Sequence, residues 1–162
     1  MNTPTPKQEK IFIEFIKTNE RLIYKVCSVY ASAELPVTDL FQEVVYNLWR
    51  AFPKFRNECT ISTWIYRITL NICISEIKRK NKRPVCVSLN EFMEQFTEDD
   101  SFNETIKEMY SSLRKLKNME RAIVLLYLEE KSYEEIAQIT GLTKSNVAVK
   151  LMRIKEKLRN MK

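Results

Sequence analysis

Glycine and histidine are almost absent from this chain of 162 residues, which has one glycine and no histidine. Tight β-hairpins need glycine at positions of positive φ, so a hairpin-rich sandwich or barrel is disfavoured. The dinucleotide fingerprint and the P-loop each need at least two glycines, so neither phosphate-binding loop is present. Without histidine the chain cannot build a Ser-His-Asp or Cys-His catalytic site, and it lacks the commonest zinc and iron ligand.

The four cysteines, Cys27, Cys59, Cys73 and Cys86, form no C-x-x-C pair. We predict free thiols in a reducing cytosol, with Cys27 and Cys73 at apolar helix positions. The N-terminus lacks the apolar core of a signal peptide, and the longest apolar run, Ala122 to Leu128, is about a third of a membrane span. We therefore expect a cytoplasmic protein with no metal and no cofactor.

Charge is distributed unevenly along the chain, whose net charge is +6. Residues 76–90 hold five basic and one acidic side chain, and residues 113–162 hold twelve basic and six acidic. Residues 91–112 between them hold one basic and seven acidic. The basic balance favours a polyanionic partner, and the alternation indicates two basic units separated by an acidic segment.

The acidic segment has weak periodicity and follows Pro84, which restricts its neighbour away from helix. We therefore expect a linker over 84–104 between a domain at 1–83 and a domain at 105–162. The alternative is a metal-dependent nuclease site built from the carboxylates of this segment, although nothing in their spacing indicates a preorganised site. Those carboxylates are Glu91, Glu94, Glu98, Asp99 and Asp100.

Apolar residues recur at helical spacing in three segments before the linker, which predicts an all-α first domain. The second helix follows Pro36 and is stopped by Pro53. The third is predicted to begin near Ser62 or Thr63, both good N-caps, and it ends in the basic run 78–83.

Three polar residues of the second helix, Asp39, Gln42 and Glu43, lie three and four apart on one face, opposite its apolar stripe. One interpretation is a solvated helix face. The other is an acidic docking surface for a basic partner, with Tyr46 and Trp49 nearby as anchors.

The loop 54–61 mixes basic, aromatic and amide side chains. Bases stack on aromatic rings and phosphates meet cations, so this mixture is typical of single-strand binding. Arg67, Asn71 and Lys78 share one face of the third helix, and Asn71 can donate and accept at a base edge. The alternative is that the loop aromatic, Phe55, packs under its own loop.

The second domain has clear signals for where its helices begin and end. Ser132 and Glu135 form a predicted capping box, a short helix over 133–140 follows, and Gly141 stands where a left-handed C-cap belongs. An amphipathic helix with a basic polar side follows Thr143. Two short helices around a glycine turn, the second one basic, predict a DNA-binding helix-turn-helix; the alternative is an ordinary antiparallel helical pair.

A supporting helix is predicted ahead of this motif, over 119–131, with Asn118 as its cap. Its inward residues are predicted to be Ile123, Leu126 and Tyr127. The expected fold class is therefore all-α, with two small helical domains joined by an acidic linker.

Several short segments match one family in order and spacing. They are Asp39-Leu40-Phe41-Gln42-Glu43-Val44, Trp49, Phe55-Arg56, Thr63-Trp64-Ile65-Tyr66-Arg67-Ile68 with Asn71, Ser132-Tyr133-Glu134-Glu135-Ile136-Ala137, Gly141-Leu142-Thr143, Val147, Leu151, Arg153 and Lys157-Leu158-Arg159. On these residues the chain resembles a bacterial sigma factor of the extracytoplasmic-function (ECF) type, over about residues 8–83 and 105–162.

The resemblance implies an alternative sigma factor, not an enzyme, that binds RNA polymerase core and directs promoter-specific initiation, including promoter melting. It implies three sets of site residues. The set for the coiled coil of the largest polymerase subunit is Asp39, Leu40, Gln42, Glu43 and Trp49. The set for the minus-ten element is Phe55, Arg56, Asn57, Thr60, Trp64, Arg67, Asn71 and Lys78. The set for the minus-thirty-five element is Thr143, Lys144, Ser145, Asn146, Lys150, Arg153 and Lys155. An anti-sigma protein is a further implied partner, and the linker is expected to thread toward the polymerase active-site channel.

The chain departs from the family in its last helix. Many relatives carry Val-Lys-Ser-Arg where this chain has Val147-Ala148-Val149-Lys150. The side chains of Ala148 and Val149 cannot hydrogen-bond, although they can touch a thymine methyl. The competing interpretation of the whole chain is a helix-turn-helix regulator that acts without polymerase core. It explains the second domain but leaves the acidic face and the Phe55 loop without a role.

Overall fold

The computed structural model describes residues 5–81 and 104–161, and within those ranges regular structure is entirely helical. The helices are α1 (Pro6–Tyr30), α2 (Val37–Ala51), α3 (Ile61–Asn81), α4 (Glu104–Arg114), α5 (Asn118–Leu128), α6 (Tyr133–Thr140) and α7 (Lys144–Asn160), with a 3-10 turn at Phe52–Lys54. The predicted all-α class is confirmed. The linker predicted over 84–104, with the carboxylates considered as a metal site, lies outside the described residues except for Glu104, which begins α4.

Helices α1, α2 and α3 pack together as the first unit. Pro36 is the N-cap of α2, and the fully buried side chains of Leu40, Val44 and Leu48 form the stripe that faces α1 and α3. These three residues recur every four positions, so they fall on one side of a helix with 3.6 residues per turn. The packing explains why the opposite, polar side of α2 is turned outward.

The start of α3 differs from the prediction, because the cap is Thr60 and the helix begins at Ile61. The backbone N–H of Thr63 donates to Thr60 Oγ1 at 3.2 Å, and the Thr60 hydroxyl donates to Thr63 Oγ1 at 2.9 Å. Thr63 itself is only 5% exposed. Its side chain faces inward in the first turn, so Thr63 cannot serve as the cap.

The caps predicted for the helix-turn-helix are confirmed. Ser132 Oγ accepts from the backbone N–H of Glu135 at 3.2 Å, and the Glu135 carboxylate accepts from the backbone N–H of Ser132 at 2.8 Å. Gly141 has φ +80°, as predicted. The structure adds one cap that was not predicted: Thr143 caps α7 by accepting from the backbone N–H of Asn146 at 3.1 Å. These bonds satisfy N–H groups that the first turns of α6 and α7 leave without helical partners.

The supporting helix α5 differs from the prediction in three ways, the first of which is that it ends at Leu128 and not at residue 131. Its N-cap is Lys117, and Asn118 is its first residue. Ile123 and Leu126 are fully buried as predicted, but Tyr127 is 39% exposed. Helix α7 ends beside α5, and Lys155 Nζ lies 3.0 Å from the Tyr127 hydroxyl and 4.3 Å from the centre of its ring. Tyr127 therefore contacts α7 at the protein surface rather than filling the core.

Replacing Gly141 by alanine is expected to lower the free energy of unfolding by about 1–2 kcal/mol, the cost of a left-handed residue with a Cβ atom. No neighbouring atom lies within 4 Å of the Cβ that alanine adds, so the loss comes from the backbone conformation alone. Urea unfolding of Gly141→Ala and Gly141→Asn measures it. Asparagine tolerates this conformation, so Gly141→Asn should lose less. Equal stability of wild type and Gly141→Ala would contradict the role given to glycine.

The two units share one continuous core. Helix α6 packs on α3, and α1 contacts α4 and α5. The hydroxyl of Tyr30, a side chain 1% exposed, donates to the carbonyl of Asn118 at 2.7 Å, and the Arg121 guanidinium lies 5.7 Å from the Tyr30 ring centre. Burial raises the pKa of Tyr30, so this hydroxyl remains a donor. Nothing in the sequence pattern predicted this contact.

Two buried cysteines lie in α1 and α3 of the first unit. Cys27 and Cys73 are free thiols at fully buried helix positions, as predicted. A hydrogen bond with Cys27 and burial both raise the pKa of Cys73, which keeps the thiol protonated and unreactive. In the parts of the chain described above, none of the helices is both long and apolar enough to cross a membrane.

Candidate functional site

The polar side of α2 forms an acidic surface, which we call the α2 face and define by Asp39, Gln42 and Glu43. Asp39 and Gln42 are exposed and Glu43 is half-buried. They border an open depression of about 420 Å³. The other residues around it are Leu35, Leu40, Tyr46, Glu76, Arg79 and Lys80. The depression therefore lies between α2 and the basic end of α3.

The carboxylates of the α2 face are available to a partner. Within the described ranges neither Asp39 nor Glu43 forms an ion pair; Glu43 accepts only from the amide of Asn47, at 3.1 Å. Arg79, which lines the depression, pairs with Glu76 at 2.8 Å. Unpaired carboxylates on an exposed helix face suit a basic partner surface.

The apolar side chains beside the α2 face differ in their exposure to solvent. Tyr46 is 55% exposed, with the Arg50 guanidinium 5.7 Å from its ring centre. Leu40 is fully buried and supports α2 from the core, so its side chain has no surface for a partner in this conformation. Trp49 is half-buried, with its ring centre 4.8 Å from that of Phe12. The structure thus places Tyr46, and not Leu40 or Trp49, as the exposed apolar group.

A second cavity, of about 340 Å³, lies where the 54–60 loop meets α3, and we call it the loop cavity. Its lining residues are Lys54, Phe55, Arg56, Glu58, Cys59, Trp64, Arg67 and Gln138. The Phe55 and Trp64 ring centres are 4.8 Å apart and the planes are inclined by 34°. Phe55 therefore packs beneath its loop, as the alternative interpretation expected, and still lines a cavity among cations.

The remaining residues predicted for the minus-ten element lie around this cavity or beyond it. Asn57 is exposed, and its φ of 57° is a left-handed conformation that asparagine tolerates better than most residues. Thr60 caps α3. Asn71 and Lys78 are exposed farther along α3 and do not line the cavity. The structure therefore brings Phe55, Arg56, Trp64 and Arg67 together and extends their surface along α3.

The second unit covers one side of the loop cavity, a feature that sequence reasoning missed. The Arg67 guanidinium donates to the backbone carbonyl of Gln138 at 2.7 Å, and Gln138 lines the cavity. Lys131 Nζ lies 3.3 Å from the Ser62 hydroxyl and 5.5 Å from the centre of the Tyr66 ring. The helix-turn-helix unit thus contacts the first turns of α3, from Ser62 to Arg67, whereas Asn71 and Lys78 farther along the helix stay exposed.

Glu129 also joins the units, close to Lys131, since both side chains contact Tyr66. Its carboxylate pairs with Lys25 at 2.7 Å and accepts from the Tyr66 hydroxyl at 3.4 Å. Burial raises the pKa of Tyr66, and the negative charge of Glu129 raises it further. A single side chain of the second unit therefore contacts both α1 and α3.

Three of the lysines on helix α7 contact other residues of the protein. Lys144 pairs with Glu134, Lys155 packs on Tyr127, and Lys157 pairs with Glu120 at 3.3 Å. The cations left on α7 without a protein partner in the described chain are Lys150, Arg153 and Arg159, and all three are exposed. Ser145 and Asn146 are exposed in its first turn, where a recognition helix contacts base edges, and Thr143 caps it.

Comparisons with known proteins agree on both units. Family models match for Sigma-70 region 2 over residues 15–83 and for Sigma-70, region 4 over residues 106–158. The chain is 31% identical over 128 residues to RNA polymerase sigma factor YlaC of Bacillus subtilis (strain 168), with 75% of this chain and 74% of YlaC covered. It is 26% identical over 152 residues to RNA polymerase sigma factor SigV of the same organism, with 89% and 90% covered.

Among solved structures, the chain is similar to the sigma factor RpoE in its complex with the anti-sigma factor NepR from Bartonella quintana. The TM-score is 0.71 at 16% identity, with 93% of this chain and 96% of that chain covered, so this likeness concerns the fold. The region 2 match contains the α2 face and the loop cavity, and the region 4 match contains the helix-turn-helix. The chain therefore belongs to the sigma-70 family, as an ECF-type alternative sigma factor that directs promoter-specific transcription.

Proposed function

We propose that this sigma factor docks on RNA polymerase core through the α2 face, captures the melted minus-ten element at the loop cavity, and places α7 in the major groove of the minus-thirty-five element. The observation that carries the proposal is the presence, in one region 2 unit, of unpaired carboxylates on α2 and of aromatic rings among cations beside α3. A regulator that binds duplex DNA alone needs neither surface.

The loop cavity has the chemistry of single-strand capture. Phe55 and Trp64 offer ring faces, and Lys54, Arg56 and Arg67 surround them with positive charge. An unpaired base stacks on such a ring while its phosphates meet the cations. Asn71, exposed farther along α3, would donate and accept at the edge of a neighbouring base.

The remaining parts of the proposal concern partners and place. The protein contributes no catalytic group, since the polymerase supplies the chemistry. It works in the cytoplasm, where polymerase and promoter meet, and the acidic linker over 84–104 joins the promoter-binding domains at 1–83 and 105–162 and passes through a basic channel of the polymerase. Because RpoE, which has a similar fold, forms a complex with the anti-sigma factor NepR, we include an anti-sigma protein among the partners of this chain.

Binding of both promoter elements requires the two units to separate. The elements lie about 25 base pairs apart, which is about 85 Å of duplex at about 3.4 Å per pair. A compact chain of this length has a radius of gyration of only about 15 Å. The 22 residues between Asn81 and Glu104 reach at most about 75 Å when extended, so the chain is long enough to allow most of this separation. Separation also frees Arg67 from Gln138.

Co-purification with core polymerase and promoter-dependent transcription by the reconstituted holoenzyme test the proposal. A holoenzyme that initiates at a promoter selected from a random library is the expected result. A chain that binds duplex DNA but neither retains core polymerase nor initiates transcription would instead be the helix-turn-helix regulator.

Phe55→Ala and Asn71→Ala are each expected to impair promoter melting, because the loss of one stacked base costs about 1–3 kcal/mol. Permanganate reactivity of thymines in the promoter bubble measures melting. Phe55→Tyr keeps the ring and should melt the promoter normally. Binding to a duplex of the minus-thirty-five element should not change in any of the three variants. Equal bubbles from Phe55→Ala and wild type would contradict the role of the loop cavity.

A further inference from the structure

The side of α7 that faces away from the protein is unexpectedly apolar at its centre. The buried residues Val147, Leu151 and Ile154 define the inner side of the helix. At about 100° per residue, the opposite side falls on Val149, with Met152 beside it one turn later. Val149 is 41% exposed and Met152 is 64% exposed. These two side chains therefore occupy the position from which a recognition helix reads bases.

The polar residues of the outward side lie at its ends. Ser145 stands in the first turn, and Arg153 and Glu156 follow Met152. Between Ser145 and Arg153 the centre of the outward side carries Val149 and Met152, and the exposed polar residues Asn146 and Lys150 lie at its edges. Because Glu156 repels phosphates, the helix must enter the groove by its N-terminal half, which brings Val149 and Met152 closest to the base pairs.

The charges around Val149 and Met152 indicate that the partner of this surface is DNA and not an apolar protein surface. Lys150, Arg153 and Arg159 are exposed cations without a partner in the described chain, and they border the same side. An apolar protein surface would bury these cations unpaired, at a high cost, whereas a duplex offers a phosphate to each of them. Only three such cations remain, so contacts in the groove must supply part of the affinity.

The base edges of the major groove offer one apolar group, the C5-methyl of thymine. We infer that Val149 and Met152 read thymine methyl groups in the minus-thirty-five element, an inference that rests on the function proposed for α7. Three residues along a helix advance about 4.5 Å, or between one and two base pairs. The two thymines therefore lie within two base pairs of each other. Each methyl buried in this contact contributes about a fourfold increase in affinity.

The test removes the methyl and nothing else. Holoenzyme reconstituted from core polymerase and the full chain selects promoters from a library randomised over the minus-thirty-five element. Each thymine of the selected element is then replaced singly by deoxyuridine, which keeps every hydrogen-bonding atom. At one or two neighbouring positions we expect an affinity loss of about fourfold. At the same position, a 5-methylcytosine·guanine pair should bind more tightly than cytosine·guanine.

The double variant Val149→Ala/Met152→Ala assigns the effect to these side chains. Both are exposed and alanine favours helix, so the fold should be retained, which thermal melting checks. The variant should bind thymine and uracil duplexes equally. The matched control is Met119→Ala, at a methionine of α5 that is 37% exposed, and it should keep the discrimination.

The contrary outcomes are distinct. If the holoenzyme selects a promoter but no uracil substitution changes affinity, the inference fails and the proposed function stands. If the double variant still discriminates thymine from uracil, another residue reads the methyl and the assignment fails. If no holoenzyme forms, or no minus-thirty-five element is selected, the proposed function and the inference fail together.

Discussion

Replacing Asp39 and Glu43 together by lysine should lower the affinity for RNA polymerase core by more than a hundredfold. Like charges brought together across an interface cost several kcal/mol, and about 1.4 kcal/mol corresponds to a tenfold change in affinity. Both carboxylates are without an ion pair in the described chain, so the substitutions break no internal contact of this kind. The loss should therefore appear in docking and not in the fold.

The affinity is best measured with fluorescently labelled protein and core polymerase at moderate salt. The loss should shrink as salt is raised, because the charges are exposed and screening shortens their range. The matched control is Glu14→Lys/Glu20→Lys, which changes the net charge equally at exposed positions of α1. Should the α2 variant bind core as tightly as this control, the α2 face would not be the docking surface.

Local signals predicted the elements of the fold well. The capping box at Ser132 and the left-handed conformation of Gly141 depend only on residues within one or two turns, so both can be predicted from the local sequence. The prediction of helix ends was less accurate where several neighbouring residues could each serve as the cap. Three hydroxyl residues stand within four positions at the start of α3, and only the inward direction of Thr63 selects Thr60 as the cap.

The sequence could not predict the contact between the units, for a physical reason. Tyr30 bonds the carbonyl of Asn118, 88 residues away, and Arg67 bonds the carbonyl of Gln138, 71 residues away. Every residue has a backbone carbonyl, so the sequence of side chains cannot show which carbonyl will accept these bonds. The same applies to the loop cavity, whose aromatic and basic lining was predicted but whose cover by Gln138 was not.

Separation of the two units should follow from the single change Glu129→Lys. The substitution removes the acceptor of Tyr66 and places a new ammonium beside Lys25 and near Lys131. Lys25 is half-exposed, so the lost ion pair contributes only about 1 kcal/mol. With the repulsion and the unsatisfied Tyr66 hydroxyl, the total is about 2–3 kcal/mol. The ratio of separated to joined molecules should then rise by a factor of about 30 to 150.

The radius of gyration from small-angle X-ray scattering, or energy transfer between dyes on α2 and α7, reports the separation. The charge-swapped variant Lys25→Glu/Glu129→Lys restores the opposite charges and should recover much of the joined state. Unchanged dimensions in Glu129→Lys would show that this contact does not hold the units together.

The two surfaces proposed to bind DNA should respond differently to Glu129→Lys, because the joined state covers only one of them. Arg67 is bound to Gln138 in that state, whereas Val149, Lys150 and Arg153 on the outer side of α7 are exposed. Apparent affinity is reduced by the fraction of molecules that are competent to bind. Glu129→Lys should therefore bind a single-stranded minus-ten oligonucleotide more tightly than wild type. Its affinity for a duplex of the minus-thirty-five element should stay the same. An equal rise for both DNAs would point to the added positive charge, and not to the release of Arg67, as the cause.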